Sequence, residues 1–457
     1  MKKNSRLIAL LLALMMVVLP ACSPGTGEEM TTEAVNTAPE TTEADISEAT
    51  TEEPSVSVVV IPETTPEETT SLYPPHDGEI IRVLIQDGKS EAFTSEFADG
   101  ELATYLSSRE AALLADHNTV IRVSRSADIV DRIKTGIQTA NNDFDFLLLN
   151  SKSGAELLTY GALEALSEAG IGLTPKTAGV RESLTESLTV GGAVYLVACD
   201  ALVSDLSSLR AIEYSGAELS SDPAKAAAEG DFTVELLLNY IAELKTDSFA
   251  VEQDSMLALF SGVGGRVFVE NEKGIPLSAL TEDKNFSKKY ESVLGLIKND
   301  SQTNRSAAFT VTGISPARDG VTVLPLPKAS AEAEYVTLTE AGTLTLLAAP
   351  IGVVAGVRLA KLFNCLCVAS GNLRSAERAR FIDADDPYSE QIISILESTE
   401  MLDLGILLGW GDIDDYIADS LASGKSAKDM LADRVVSMRN KAVETASGIL
   451  VERLNIE

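Results

Sequence analysis

The chain has 457 residues, a net charge of −33, 45% hydrophobic residues and only 5% aromatic ones. A surface this acidic repels phosphate backbones and anionic lipid, which excludes nucleic acid and anionic membrane surfaces as partners. With two histidines and no H-E-x-x-H, G-x-S-x-G or P-loop sequence, the chain also lacks the motifs of the common hydrolases, so it is not expected to be an enzyme.

Met1 to Cys22 reads as an export signal. Lys2, Lys3 and Arg6 form a basic head, and Leu7 to Leu19 is an uncharged apolar core too short to span a bilayer. It ends Leu19-Pro20-Ala21-Cys22, which resembles the lipobox of bacterial lipoproteins. That resemblance implies lipidation of Cys22; the alternative is an ordinary secretory signal with an incidental cysteine. Each buried methylene contributes about 0.8 kcal/mol, so two or more acyl chains anchor firmly. No later segment has a long uncharged apolar run.

Ser23 to Gly78 is rich in Thr, Glu, Pro and Ala, with 13 acidic residues and no Lys or Arg. Such a segment buries too little surface to offset chain entropy, so a disordered linker is expected. Its contour reaches roughly 180 Å at ~3.3 Å per residue, a length suited to the thick wall of a Gram-positive cell. The β-prone run Val56 to Ile61, closed by Pro62, reads either as a sticky linker segment or as an extra edge strand.

Glu79 to Glu457 is the folded part. It is too large for one ordinary core, so two lobes are expected. Three basic residues fall in the leader and 13 acidic ones in the linker, which leaves −23 of the chain's −33 on the folded part. Ile80 to Ile85 is a strand ending at Gln86-Asp87-Gly88, and a helical region follows through Leu102, Tyr105, Leu106 and Leu113. Val120 to Val123 is a second strand. Ser126 is placed to cap a helix whose Ile129, Ile133 and Ile137 recur every fourth residue. Phe144 to Leu149 is a short apolar run, suited to a strand buried on both faces, and ends in Asn150-Ser151-Lys152. Ser153 then caps a helix with Ala155, Leu157 and Leu158 on its apolar face, and Gly161 ends it. The alternation is βαβαβ, the pattern of a parallel sheet flanked by helices. Open α/β sheets bind ligands outside the carboxyl ends of their strands. Gln86, Asp87, Asn150, Ser151 and Lys152 are therefore candidate ligand contacts.

With Cys22 set aside, Cys199, Cys365 and Cys367 remain. Cys365 and Cys367 lie in a run where Leu359, Leu362, Phe363 and Leu366 follow helical spacing, so the two thiols point apart and read as buried and free. No metal or other cofactor is implied. The single tryptophan, Trp410, stands between Gly409 and Gly411, ahead of a helix carrying Ile413, Ile417 and Leu421. It reads as an aromatic platform for a ligand or as a core ring at a helix start.

The order of several short motifs resembles that of bacterial extracellular solute-binding proteins of ABC importers, family 1, the carbohydrate type. They are Asp143 to Leu166, ending Gly161-Ala-Leu163-Glu-Ala-Leu166; Gly191 to Tyr195; Asp200-Ala201 with Leu209 to Tyr214; and Asp231-Phe232-Thr233 with Leu236, Leu237, Tyr240 and Leu244. Ser261 to Gly265, Asn271 to Pro276, Leu324 to Lys328 with Tyr335, and Glu397 to Asp414 continue the series. The chain departs from the family where Phe232 replaces a tryptophan, where Val197-Ala198 stands for a proline, and where Ser215 replaces Asn or Lys.

The resemblance implies an α/β fold of the two-lobed periplasmic-binding-protein type (type II). One lobe is 79–198 plus about 330–370, the other 199–329 plus about 371–457, with crossovers near 197–200, 325–335 and 370–380. It implies a monomer that closes by hinge bending on a small solute, most simply a sugar, and delivers it to an ABC permease; the membrane is met only through the lipid anchor. Asp200, Tyr335 and Trp410 join the candidate contacts. The competing reading is a degenerate surface module acting as adhesin, scaffold or ligand sensor.

Overall fold

The computed structural model describes residues 78–88, 93–166, 182–198, 206–244, 248–298, 307–352, 356–454 and 456. The leader with Cys22, the linker with Val56 to Ile61, and Cys199 and Asp200 lie outside the described residues.

The first sheet has five strands, in the order Thr119–Ser126, Glu79–Gln86, Phe146–Asn150, Thr345–Ala348, Leu196–Ala198. The first three are parallel, with Glu79 opposite Thr119 and Val83 opposite Phe146. Thr345–Ala348 runs antiparallel to both of its neighbours. Ile81, Val83 to Ile85, Phe146 to Leu149, Leu346 to Ala348 and Leu196 to Ala198 are each at most 1% exposed. Both faces of the central strands are covered, which is why these runs are continuously apolar rather than alternating. Helices Ile129–Thr139 and Ser151–Tyr160 pack together beside the sheet, and Gly100–His117 packs with Gly356–Ala369. The rings of Phe146 and Phe363 meet at 6.3 Å, joining the last of these helices to the central strand. Cys365 and Cys367 lie on that helix as buried free thiols, and burial pushes the Cys367 thiol up to about 12.

The second sheet has four strands, ordered Thr322–Leu324, Arg210–Tyr214, Phe309–Gly313, Phe249–Val251. Only the last pair is parallel. Several of the chain's few aromatics are used here. Phe309 stacks on Tyr214 at 4.8 Å, and Phe286 packs on Phe260 at 5.3 Å and on Tyr290 at 6.0 Å. Phe232 is fully buried. Thr233 caps helix Val234–Leu244, its hydroxyl accepting the Leu236 N–H at 3.2 Å.

Thr337–Leu338, between Thr322–Leu324 of the second sheet and Thr345–Ala348 of the first, pairs in parallel with Glu400–Met401. Helix Gly371–Ala379 stays with the first sheet: it packs on Gly100–His117, with Leu373 against Leu106. Helix Ser389–Ser398 packs instead on Pro223–Ala228 and Thr322–Leu324. The packing thus changes partner between residues 379 and 389, at the end of the 370–380 stretch. Leu373 is the lone large apolar residue of helix Gly371–Ala379, so no apolar periodicity assigns that helix to a side. Buried residues of both sheets form one continuous core. Among the described residues no helix is long and apolar enough to cross a membrane.

Two expected caps are relocated. Ser126 stays in the strand opposite Gln86, and the next helix starts at Ile129 after Asp128, whose side chain makes no cap bond. Helix Ser151–Tyr160 starts three residues earlier than Ser153 capping requires, because Asn150 Oδ1 accepts the Ser153 N–H at 2.8 Å. Gly161 does close this helix, with φ +77°. Replacing Asn150 by Ala is expected to cost about 1 kcal/mol, while Asn150→Asp stays within a few tenths of wild type. Urea midpoints at unchanged m-value measure this, and an Asn150→Ala midpoint equal to wild type would refute the cap.

Candidate functional site

The carboxyl end of strand Phe146–Asn150 runs directly into helix Ser151–Tyr160. A groove of about 580 Å³ lies along the outer face of this helix, where Ser151 and Lys152 meet Leu407 to Trp410 and the C-terminal helix Arg434–Arg453. Three residues chosen from sequence, Ser151, Lys152 and Trp410, thus share one cavity although 258 positions separate Lys152 from Trp410. Trp410 is 6% exposed, so its ring is largely packed while still contributing to the wall.

The groove combines apolar surface with cations. Tyr160 and Ile449 are 40% and 44% exposed, high values for large apolar side chains. Lys134 binds Glu156 at 2.6 Å and lies 4.9 Å from the centre of the Tyr160 ring. Lys152 and Arg453 form no ion pair among the described residues. Lys134, Lys152 and Arg453 against Glu156 make the groove locally positive on a strongly acidic body. The set offers N–H and O–H donors beside ring faces, which is what a polyhydroxylated ring requires.

The other sequence candidates have different placements. The Gln86 side-chain oxygen accepts the Asn150 N–H at 2.9 Å, so Gln86 and Asn150 brace the strand ends behind the groove. Asp87 is exposed in the turn after its strand. The Tyr335 hydroxyl accepts the Phe232 N–H and donates to the Ala227 carbonyl, both at 3.1 Å, and burial raises its pKa to about 12. Tyr335 borders a different cavity, of about 610 Å³, together with Arg266 and Asp403.

A third cavity, of about 530 Å³, lies at the carboxyl ends of Phe249–Val251 and Phe309–Gly313 and was not legible in the sequence. Arg210 begins the neighbouring strand, and its guanidinium binds Asp254 at 3.0 Å and also Glu340. Asp414, Asp415 and Asp419 add carboxylates over an apolar floor of Leu257, Leu338 and Ile406. Desolvation, then the neighbouring Asp415, push the Asp414 carboxyl up. Asp254 and Glu340 stand 44 and 130 positions from Arg210, so no local spacing signals the cluster. Among the described residues no group of His, Cys, Asp and Glu is arranged to hold a metal ion.

Two α/β sheets joined by crossing segments, with cavities at their carboxyl edges, define the two-lobed solute-binding-protein fold, and solved structures match it. The cyclic alpha-maltosyl-1,6-maltose binding protein from Arthrobacter globiformis aligns with a TM-score of 0.52 at 12% identity, over 82% of this chain and 100% of that one. A sugar transporter from Rhizobium etli in an open conformation aligns at 0.52 and 14% identity, over 80% and 99%. The sugar-binding protein MalE from the phytopathogen Xanthomonas citri aligns at 0.51 and 12% identity, over 82% and 98%. Identities this low establish a shared fold. No protein-family model and no curated protein matches the sequence.

Asp403 lines both the second and the third cavity. Full burial pushes its carboxyl up to about 6, against the Phe268 N–H it accepts at 2.9 Å and the nearby Arg266 charge. Since the folded value lies above the unfolded one, its favourable contribution is complete below about pH 4 and is lost as pH rises through 6. Two units correspond to about 3 kcal/mol. Between pH 4.5 and 8, wild type is expected to lose up to that much stability relative to Asp403→Asn. Urea midpoints of both proteins across this range are the check, and parallel pH profiles would contradict it.

Proposed function

We propose that this chain is a lipid-anchored extracellular binding protein that captures a small carbohydrate and passes it to an ABC permease. The observation that carries the reading is the groove that joins Ser151 and Lys152, at a strand's carboxyl end, to Trp410 from the far end of the chain. The fold supports it, being shared with proteins described as sugar binders. Tyr160 and Trp410 offer faces to the C–H side of a sugar, and Lys152, Ser151 and Arg453 offer donors to its hydroxyls. Capture proceeds by closure of two lobes about the crossing segments, residues 79–198 with about 330–379 against 199–329 with the remainder; ligand stabilises the closed form. Acylated Cys22 and the linker hold the protein outside a Gram-positive membrane, as a monomer. The chemistry is binding alone.

A second reading, a surface module with a filled cleft, is favoured by the near-complete burial of Trp410 and by the continuity of the core across both sheets.

Trp410 is the only tryptophan, so its emission reports on this groove alone. Melting and emission are to be recorded against malto-oligosaccharides, other oligosaccharides, peptides and polyamines. A ligand at 100 times its dissociation constant adds about 2.7 kcal/mol to the native state. The expected result is a melting shift with an emission change for a sugar, weakened about tenfold in Lys152→Ala with ligand-free melting unchanged. A shift without an emission change removes Trp410 from the site. Silence across the panel favours the surface module.

A further inference from the structure

The loop that carries Trp410 is held in an uncommon conformation. Gly409, Gly411 and Asp412 have φ of +64°, +69° and +44°. Asp412 is one of three non-glycine residues among those described with positive φ, a region that L side chains enter only at a cost. Helix Leu404–Leu407 closes on Gly409, whose N–H bonds the Ile406 carbonyl at 2.9 Å, and the Asp412 carbonyl accepts the Tyr416 N–H at 3.2 Å, but neither helix holds the Gly411 carbonyl. The Asp412 side chain makes no cap bond to helix Ile413–Ala422. The Trp410 N–H makes one bond back, to the Gly405 carbonyl at 3.2 Å.

The missing restraint comes from helix Arg434–Arg453. Arg439 Nη1 donates to the Gly411 carbonyl at 2.5 Å and to the Asp412 carbonyl at 2.7 Å, and lies 3.4 Å from the Asp412 carboxylate. Its guanidinium also sits 5.3 Å from the centre of the Tyr416 ring, one turn into the following helix. Tyr416 is pinned in turn, its hydroxyl donating to the Met430 carbonyl at 2.8 Å. The helix approaches so closely that a Cβ on Gly411 would lie 2.9 Å from the Arg439 carbonyl oxygen. Only glycine fits at that position, and a single guanidinium nitrogen, Nη1, at the end of the long arginine stem reaches both carbonyls.

We infer that Arg439 is the positioning residue of the groove: by bonding the Gly411 and Asp412 carbonyls it fixes the backbone that follows Trp410 and thereby sets the Trp410 ring in the wall facing Ser151 and Lys152. Arg439 itself is not among the residues that line the groove, so it acts through Trp410. The inference rests on the reading of the groove as the binding site, but its first test needs no ligand.

The test uses the full chain and its single tryptophan. Arg439→Met keeps an apolar stem and removes the donors, and Arg439→Lys keeps the charge on a shorter stem. In both, circular dichroism and cooperative melting are expected to persist, while Trp410 emission moves to the red and acrylamide quenching rises several-fold. Asp412→Gly relieves the positive-φ strain and leaves both carbonyls for Arg439, so its emission and quenching are expected to match wild type. Wild-type emission in whichever Arg439 variant folds overturns the inference. A red shift in Asp412→Gly also overturns it, because the Asp412 side chain would then be the restraint; this arm stands even where neither Arg439 variant folds. Maltotetraose serves as the ligand probe: where wild type responds to it, Arg439→Met is expected to lose about tenfold in affinity, one charge-assisted contact's worth. Where wild type does not respond, the sugar reading fails and the quenching comparison still decides the clamp.

Discussion

A sheet covered by helices on both faces satisfies its backbone internally and leaves no polar group there for a ligand; it can recognise something only where its strands stop. That constraint governs this protein. Phe146 to Leu149 are sealed, and polar chemistry begins at Asn150, where the chain turns from strand to helix. Gln86, from the neighbouring parallel strand, uses its side chain to take the Asn150 N–H. The second sheet follows the same rule, with Arg210, Asp254 and Glu340 gathered at its carboxyl edge. The cavities therefore stand where the burial of the sheets forces polar groups to collect.

The composition explains how the two edges differ. Aromatic residues are scarce, and the second sheet takes Tyr214, Tyr240, Phe260, Phe286, Tyr290 and Phe309 into its core. Tyr160 and Trp410 are left to line the groove beside the first sheet. Charge is divided just as unevenly. The second sheet's cavity holds one arginine among carboxylates, whereas the groove is locally positive on a body of opposite sign.

The groove's wall is assembled from parts with different mechanical roles. Ser151 and Lys152 stand on the first turn of a capped helix, rigid because Asn150 fixes where the helix begins. Trp410 stands on a loop in which Asp412 holds a positive φ, and Arg439 bonds that loop's Gly411 and Asp412 carbonyls from the C-terminal helix. Tyr335, beside the crossing segments, spends its hydroxyl on two backbone groups and acts as internal packing.

Local chemistry was sufficient to specify a good deal of this protein. Continuous apolar runs, 3.6-residue periodicity and a closing glycine defined the parallel βαβαβ unit from Glu79 to Gly161, and Thr233 marked its own helix start. Those signals operate over a few residues, so they survive in a linear reading. Cap identity at Asn150 is not legible locally because Asn150 and Ser153 are equally good cap residues, each able to accept an N–H two or three positions further on; only the helix's actual entry angle selects one. The side to which helix Gly371–Ala379 belongs was likewise illegible, since one leucine carries its packing. Of the candidate site, the sequence supplied Ser151, Lys152 and Trp410 as separate suspects. The tertiary structure alone decided that they face one groove, that Asn150 and Gln86 do structural work behind it, and that Arg210, Asp254 and Glu340 form a cluster. The reason is physical: residue type and short-range spacing set what a side chain can do, whereas the packing of elements far apart in the chain sets which side chains share a space.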